Sequence, residues 1–435
     1  MYSKSNSLSY YYRHVMVMIV MTLSVTLSGF VFAQKQDADA RGLSTTPVPQ
    51  VKWQDKYPWL ESLRIHGFAS QAYIATSANN VFGHTDKGGD FGLTELGLNA
   101  SLQPLPRLQV SAQMLSRRAG EGNSGMPRLD FGFVDYRIYS HETNQFGIRV
   151  GRLKNPFGFY NDTRDVAFTR PSILLPQSIY FDRTRNLALS ADSVQIYGET
   201  SHATMGSASF QFGVIRPIVG DLDTKRALVG RASGDLAPDV SYIGRGMYES
   251  NDKRFRLALS GILLNVNYNP ATVDALSSGA IHFAPIFISA QYNTEKWTFT
   301  SEYAIRKFQF TDFHNATLDN QDAIGESYYF QGAYRFHPKW EAVLRYDALY
   351  SNRKDRDGSD YFNSQVLNPG HRPAHSRFAK DITVGLRWNI TPELMLRAEY
   401  HRINGTAWLS GLDNPVPAQT EQHWNLFSTQ LSYRF

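Results

Sequence analysis

The sequence predicts an all-β fold, a transmembrane antiparallel β-barrel of about 16 strands with an inward-folded third outer loop. Three observations lead to this prediction. Apolar and polar residues alternate with period two through much of residues 61–435, short and long connections separate these segments in turn, and one long connection, residues 152–185, is both aromatic and basic. Alternation with long outer loops and short periplasmic turns is typical of outer-membrane strands.

The N-terminus has the layout of a secretory signal peptide. Residues 1–33 contain no Asp or Glu and two basic residues, Lys4 and Arg13. An apolar run of 18 residues extends from Val15 to Phe32, and Ala33 follows it. The alternative is an uncleaved anchor helix, because roughly 20 apolar residues span a bilayer. Small and polar residues dilute the run, so we expect cleavage after Ala33 and export through the Sec pathway.

Composition excludes several classes of function. The chain carries 44 Lys and Arg against 39 Asp and Glu, and this balance does not fit a nucleic-acid-binding protein, whose cations would cluster. It has no cysteine, which rules out thiol catalysis and a cysteine-type zinc site. After Ala33 no apolar stretch is long enough for a transmembrane helix.

The rest of the chain is predicted to contain a flexible lead-in and one barrel. Residues 34–60 are mostly polar and include Pro47, Pro49 and Pro58, which indicates a flexible periplasmic N-terminal segment. No second linker follows, so residues 61–435 are assigned to a single outer-membrane β-barrel. Three segments alternate most clearly, residues 95–103, 340–350 and 382–390.

The connections distinguish a membrane barrel from a soluble sandwich, which alternates in the same way. Short polar or proline turns are expected at residues 104–107, 141–144, 201–206, 251–254, 293–296, 337–339 and 391–393. Long connections are expected near residues 77–90, 117–127, 153–190, 216–240, 269–278, 311–325, 351–377 and 404–422. Soluble sheets have no reason to sort loops by length to one end. Aromatic residues near the segment ends also fit interface girdles: Trp297, Tyr303, Trp340, Tyr350, Trp388 and Tyr400.

The C-terminus places Leu431, Tyr433 and Phe435 on one strand face, with an aromatic residue last. This ending is similar to the one that bacterial outer-membrane proteins present to the barrel assembly machinery. The resemblance implies that these three residues are an assembly signal.

At the level of the whole barrel the chain resembles the 16-stranded porins of Gram-negative bacteria, and the run GRLKNPFGFY at residues 151–160 is similar to the Gly-Arg-x-Lys-x-Pro-Phe-Gly run of phosphate-selective porins. The resemblance implies an outer-membrane homotrimer that conducts small hydrophilic solutes passively, with the third loop folded into the lumen. The chain departs from phosphate-selective porins in having no evident ladder of lumenal lysines. It also lacks the Pro-Glu-Phe-Gly loop motif of general porins.

The third loop supplies the candidate constriction and solute-binding residues. Its cations are Arg152, Lys154, Arg164, Arg170, Arg183 and Arg185. Arginines in a narrow lumen of low dielectric bind a passing anion strongly, which predicts a preference for small anions such as phosphate. Asp162, Asp165 and Asp182 could instead pair with these cations and brace the loop. We expect some cations to brace the loop and others to face the pore.

Lumenal wall charges are also expected on three strands, at Arg345, Arg387 and Arg397, beside Glu341, Asp347 and Glu399. Opposed basic and acidic walls could set a transverse field. Mutual pairing across neighbouring strands is the commoner outcome and is the one we favour from the sequence.

Other motifs carry weaker signals. His371 and His375 are four residues apart, but Pro373 between them disfavours the helix that a metal pair needs. Gly120, Gly122 and Gly125 match a dinucleotide fingerprint without its helix, and are predicted to lie in a flexible second outer loop. No catalytic motif is evident, so we expect no enzyme, cofactor or metal. The alternatives are an outer-membrane barrel enzyme and a structural or adhesion barrel.

Overall fold

The computed structural model describes residues 58–314, 322–364 and 372–435. In this part of the chain we number 16 strands. They are β1 Arg64–Thr76, β2 Asp90–Leu105, β3 Leu108–Ala119, β4 Asn123–Ser140, β5 Asn144–Lys154, β6 Ser190–His202, β7 Gly206–Pro217, β8 in two segments Asp235–Pro238 and Ser241–Glu249, β9 Phe255–Asn269, β10 Gly279–Asn293, β11 Trp297–Thr311, β12 Asp322–His337, β13 Trp340–Tyr350, β14 Phe378–Asn389, β15 Leu394–Gly405 and β16 His423–Arg434. The signal peptide and nearly all of the N-terminal segment predicted from the sequence lie outside the described residues.

In the described residues the helices are few and short. The α-helices are α1 Arg185–Leu189, α2 Leu222–Val229 and α3 Ser359–Ser364, and 3-10 turns occur at Pro58–Ser62, Asn161–Thr163, Ala167–Thr169, Ala374–Arg377 and Pro417–Gln419. No helix in the described ranges is long and apolar enough to cross a membrane.

Each strand pairs antiparallel with the next, and β16 pairs with β1 from Phe68↔Arg434 to Thr76↔Leu426, which closes the sheet. Both segments of β8 pair with β9, so they form one strand interrupted at residues 239–240. At the seam, Gly67 and Phe435 exchange backbone hydrogen bonds of 3.2 and 3.0 Å. The predicted closed antiparallel barrel of 16 strands is confirmed.

The two faces of the strands differ as the alternation predicts. On β13, Leu344 is 60% exposed while the next residue, Arg345, is 1% exposed. On β14, Val384 is largely exposed and Thr383 is fully buried. Leu431, Tyr433 and Phe435 are likewise exposed together. The outward face therefore presents apolar side chains, as a lipid-facing surface requires.

Most connections fall where the sequence predicts them, but the second outer loop does not exist as a long loop. β3 ends at Ala119 and β4 begins at Asn123, so only three residues connect them. Gly120 has φ 56°, a left-handed conformation that suits glycine and allows the tight turn. The flanking residues therefore continue the two strands instead of forming a loop.

The predicted girdle residues lie on the outer face, but they are not equally exposed. Trp297 and Tyr400 are exposed, and Trp340 stacks on Trp388 with ring centroids 5.1 Å apart. Tyr350 is on the same strand face as Leu344. It is buried with Ala348 and Phe378, and Tyr328 and Tyr346 pack against this cluster. Its place in a girdle stays a prediction.

Candidate functional site

The long connection between β5 and β6, residues 155–189, is the third outer loop, and it is closed at its base. The Asn155 backbone N–H donates to the Leu189 carbonyl over 3.0 Å. The Asn155 side chain donates to the Ala188 carbonyl, also over 3.0 Å, and the buried Asn161 amide donates to the carbonyls of Asn155 and Ala188. These bonds continue the β5–β6 ladder by one residue and fix where the loop leaves the wall.

One side of the third loop docks on β10, β11 and β12. Tyr180 and Tyr329 donate hydroxyl hydrogen bonds of 2.7 and 2.8 Å to Glu302 on β11. Glu302 also accepts the backbone N–H of Phe159 over 2.9 Å. The Phe157 ring stacks on Phe287 of β10, with centroids 5.0 Å apart. A buried carboxylate with several donors is well satisfied, so it holds this side of the loop in one place.

The other side of the third loop docks on β13, β15 and the seam. Ile173 is fully buried and packs with Leu174 in a cluster that contains Ile74 of β1 and Trp424 of β16. A cluster of apolar side chains from the loop and from two wall strands holds this part of the loop at the seam.

Three wall residues bind the backbone of this part of the loop, and we call Arg345, Arg397 and Glu399 the clamp. Arg345 Nη1 donates to the Leu174 carbonyl over 3.0 Å, and Arg397 Nη1 donates to the carbonyls of Ser172 and Arg170 over 2.7 and 3.1 Å. Glu399 accepts the backbone N–H groups of Ile173 and Leu174. Hydrogen bonds in which one partner is charged, as here, are stronger than those between two neutral groups.

The cross-strand pairing favoured from the sequence is therefore not the main contact of these wall arginines. Arg345 lies 3.7 Å from Asp347, but its Nη atoms bind the loop and Thr383. Arg387 donates to Asn389 over 3.0 Å and reaches the Phe168 carbonyl at 3.5 Å. The third loop brings backbone carbonyls close to these guanidinium groups. The alternation of residues along a strand does not show which loop residues will lie next to it.

A buried ion network joins the base of the loop to β2 and β3. Arg117 lies 3.1 Å from both Glu95 and Asp182, and Arg185 lies 3.2 Å from Glu95 and 3.4 Å from Asp182. Arg164 lies 3.2 Å from Asp182. Burial alone would raise the pKa of Asp182, but these three arginines outweigh it and hold that pKa well below its usual range.

The same network takes in two more of the predicted site cations. Lys154 lies 2.5 Å from Asp130 and also contacts Asp165, which in turn contacts Arg185. Arg170 lies 3.4 Å from Glu95. Lys154, Arg164, Arg170 and Arg185 are therefore all engaged with carboxylates, which is the bracing role that the sequence left open. Breaking such a buried pair costs about 3–5 kcal/mol.

Arg152 does not join this group. It makes two hydrogen bonds, of 2.8 and 3.1 Å, to Asp192, whose side chain is more than half exposed. Arg152 follows Val150 by two residues and pairs in register with Asp192, two residues before Val194. Val150 and Val194 are exposed on the outer face. Because residues two apart on a strand share a face, Arg152 and Asp192 also lie on the outer face.

Arg183 differs from the other loop cations because it faces a cavity. The cavity has a volume of about 290 Å³ and lies between the third loop, α2 and the walls of β9 to β12. Arg183, Arg306 and Arg377 line it, and no Asp or Glu is among its described lining residues. The Arg183 and Arg306 guanidinium carbons lie 5.9 and 4.9 Å from the centroid of the same ring, Phe181.

A smaller cavity of about 70 Å³ adjoins Arg183 and is lined by Arg226, Arg372 and one carboxylate, Asp223. We call the five arginines of the two cavities, Arg183, Arg226, Arg306, Arg372 and Arg377, the basic path. Burial, followed by the positive charges of Arg372 and Arg377, lowers the pKa of Arg183 to about 10. Arg183 still carries its charge at neutral pH.

Sequence reasoning missed Arg306, Arg377 and the apolar wall of this cavity. A signal for the wall exists in β9, where Ile262, Leu263 and Leu264 are consecutive and apolar. Leu263 is exposed while Ile262 and Leu264 are buried, so this run indicates that the strand face opposite the outer one is also apolar. Of the histidine pair, His375 contacts the Thr420 hydroxyl at 3.1 Å, and His371 lies outside the described residues. In the described ranges no group of three metal-ligating side chains is suitably placed.

The packing of the third loop predicts a labelling pattern. The chain has no cysteine, so single cysteines can be labelled without background. Thr163 is exposed and Ile173 is fully buried in the same loop. We expect T163C to react quickly with a small charged thiol reagent in proteoliposomes. I173C should react at least about tenfold more slowly, because the reagent cannot reach a buried thiol. Both should react fully after denaturation. Equal rates in the folded protein would contradict this packing.

Comparisons with known proteins give a fold but no sequence relative: no family model matches the chain, and no curated protein is similar to it. The chain is similar in structure to the anion-selective porin from Comamonas acidovorans, with a TM-score of 0.54 and 12% identity over 86% of this chain and 99% of that one. It is also similar to the outer membrane channel DcaP of Acinetobacter baumannii, with a TM-score of 0.51 and 10% identity over 86% of this chain and 97% of that one.

A trimer form of the outer membrane protein OmpT of Vibrio cholerae is a third neighbour, with a TM-score of 0.51 and 10% identity over 86% of this chain and 99% of that one. Identities this low establish the architecture alone. The chain therefore has the 16-stranded barrel fold of the outer-membrane porins.

Proposed function

We propose that this protein is a non-enzymatic porin of the Gram-negative outer membrane that lets small hydrophilic solutes, and anions in preference, diffuse passively. The basic path carries the proposal: the larger cavity is lined by three arginines and, among its described lining residues, by no carboxylate. In a site of low dielectric such a cluster attracts anions more strongly than it would on an open surface.

The third loop would narrow the channel. It contacts side chains of β2, β3, β11, β13 and β15, strands that lie on different parts of the closed sheet. These contacts come from the strand faces opposite the exposed apolar ones, as on β13, where Arg345 alternates with Leu344. We infer that the loop occupies the lumen and that solutes pass beside it.

Biogenesis and assembly are part of the same proposal. Residues 1–33 would direct export through the Sec pathway, and Leu431, Tyr433 and Phe435 would be recognised by the barrel assembly machinery. The three residues are exposed together at the seam strand, where a partner could reach them before closure. A homotrimer is proposed because one similar structure is described as a trimer form.

Reversal potentials test the anion preference directly. In a planar bilayer under a KCl gradient we expect an anion-selective reversal potential for the native protein. Replacing Arg183 and Arg306 with Gln should move it toward zero, and more strongly at low salt, where charges are less screened. R256Q is the matched control for charge removal, because Arg256 is a wall cation that lines neither cavity. An unchanged reversal potential in the double variant would contradict the role of the basic path.

A further inference from the structure

The larger cavity of the basic path is not uniformly polar. Apart from its arginines it is lined mainly by apolar side chains, among them Phe157, Leu187, Ile262, Ile281, Phe283 and Phe308. Phe283 and Phe308 face each other across β10 and β11, with ring centroids 5.6 Å apart. A dry cavity of roughly 150 Å³ can hold benzene. The 290 Å³ found here has room for one ring with a substituent.

The charged end of the cavity has unused hydrogen-bonding capacity. Arg306 is 9% exposed, and among the described residues its Nη2 atom reaches only two acceptors, the backbone carbonyls of Tyr350 at 3.2 Å and Glu326 at 3.5 Å. The Nε atoms of Arg306 and Arg183 are buried without a hydrogen-bond partner among the described residues. Neither arginine has a carboxylate within salt-bridge distance in that part of the chain. A carboxylate that enters the cavity would therefore meet two guanidinium groups whose charge is not balanced by an acidic lining residue of the described chain.

A small hydrated anion does not match this lining. Phosphate bound at Arg183 and Arg306 would have apolar side chains on its remaining sides, and a polar group placed against such a wall loses its hydration without replacement. An anion with an apolar body meets both halves of the site. Its charged group would accept from the guanidinium groups while its body displaces water from the aromatic wall.

Resting on the proposed channel function, we propose that this cavity is a binding site for organic carboxylates that carry one aromatic ring or a short aliphatic chain. The carboxylate lies at Arg183 and Arg306, whose guanidinium groups both contact the Phe181 ring, and the apolar body lies against Phe283 and Phe308. Such acids would therefore bind in this cavity as they pass through the protein. Smaller inorganic anions would pass without binding there.

Phenylacetate and acetate are the matched probes for this site, because they differ by one phenyl ring. Phenylacetate should interrupt the chloride current through single channels at concentrations about tenfold lower than acetate, which corresponds to about 1.4 kcal/mol from burial of the ring. Benzyl alcohol, which has the ring but no charge, should cause no interruption at the same concentrations.

Calorimetric titration of the purified protein in detergent, with detergent alone as the blank, should give the same order of affinity for phenylacetate and acetate. This measurement does not depend on conductance.

Two variants separate the two halves of the site. F283Q should reduce phenylacetate binding about tenfold and leave acetate unchanged, since only the ring contacts this position. R183Q should weaken both carboxylates. R256Q, which removes a cation outside the cavity, should leave both affinities as in the native protein.

The outcomes distinguish this proposal from the channel function. Anion-selective channels with equal effects of phenylacetate and acetate would overturn the binding site and leave the channel function standing. Discrimination in calorimetry without any conductance would support the site and overturn the channel. Discrimination that survives both F283Q and R183Q would place the binding elsewhere and overturn the assignment to this cavity.

Discussion

Replacing residues 156–188 with Asn-Gly should raise the single-channel conductance severalfold and abolish most of the anion preference. Asn155 and Leu189 already share a ladder hydrogen bond of 3.0 Å, so a two-residue turn can join β5 to β6 directly. Asn-Gly is the sequence that suits such a turn. The change removes the whole segment that we place in the lumen, together with Arg183.

Two controls accompany this variant. A heat-dependent shift in electrophoretic mobility would show that the shortened barrel is folded. Shortening residues 271–277 to Gly-Ser-Gly removes part of another outer connection that lines neither cavity, and it should leave conductance unchanged. A folded variant without the third loop and with native conductance would show that the loop does not narrow the channel.

Leu344→Arg should prevent most of the protein from inserting in the outer membrane. Leu344 lies near the middle of β13 and is 60% exposed on the apolar outer face. A cation at the bilayer midplane on this face costs about 2–4 kcal/mol. The measurement is the amount of heat-modifiable protein in outer-membrane fractions.

Arg345→Leu is the neighbouring control and should insert normally. The Arg345 side chain points away from the outer face and donates to Leu174 in the third loop, so its loss affects the loop and not the contact with lipid. We expect a noisier current from a loosened loop, because the clamp then retains only Arg397 and Glu399. Equal insertion of the two variants would mean that the strand faces are assigned incorrectly.

The third loop illustrates how burial can fix the positions of charged side chains. Its network pairs Arg185 with Glu95, Asp165 and Asp182, and the carboxylates of the network come from both the loop and the wall. Removing one partner would leave a buried charge without compensation, which is strongly destabilising. The paired cations thus hold the backbone in place, and Arg183 keeps a fixed position without a carboxylate partner among the described residues.

Part of the candidate site could be predicted from the sequence. The excess of cations in residues 152–185 correctly indicated a basic loop, and its aspartates indicated that some cations would be braced. The individual roles could not be predicted. Arg183 and Arg185 are two residues apart in a similar local sequence, yet Arg185 meets three carboxylates and Arg183 meets none in the described ranges.

The sequence by itself determined the number of strands and the faces of the clearly alternating strands such as β13. These features are local, because a strand between lipid and lumen must alternate its side chains with period two, as Leu344 and Arg345 do. Only the tertiary structure decided that Arg345 and Arg397 bind the loop backbone, that Arg152 faces outward, and that Arg183 and Arg306 share a cavity. Those outcomes depend on contacts between residues that are far apart in the sequence, such as Arg397 and Ser172, which are 225 positions apart. Charge pairing is set by distance in space. Strand periodicity gives only the order of residues along the chain.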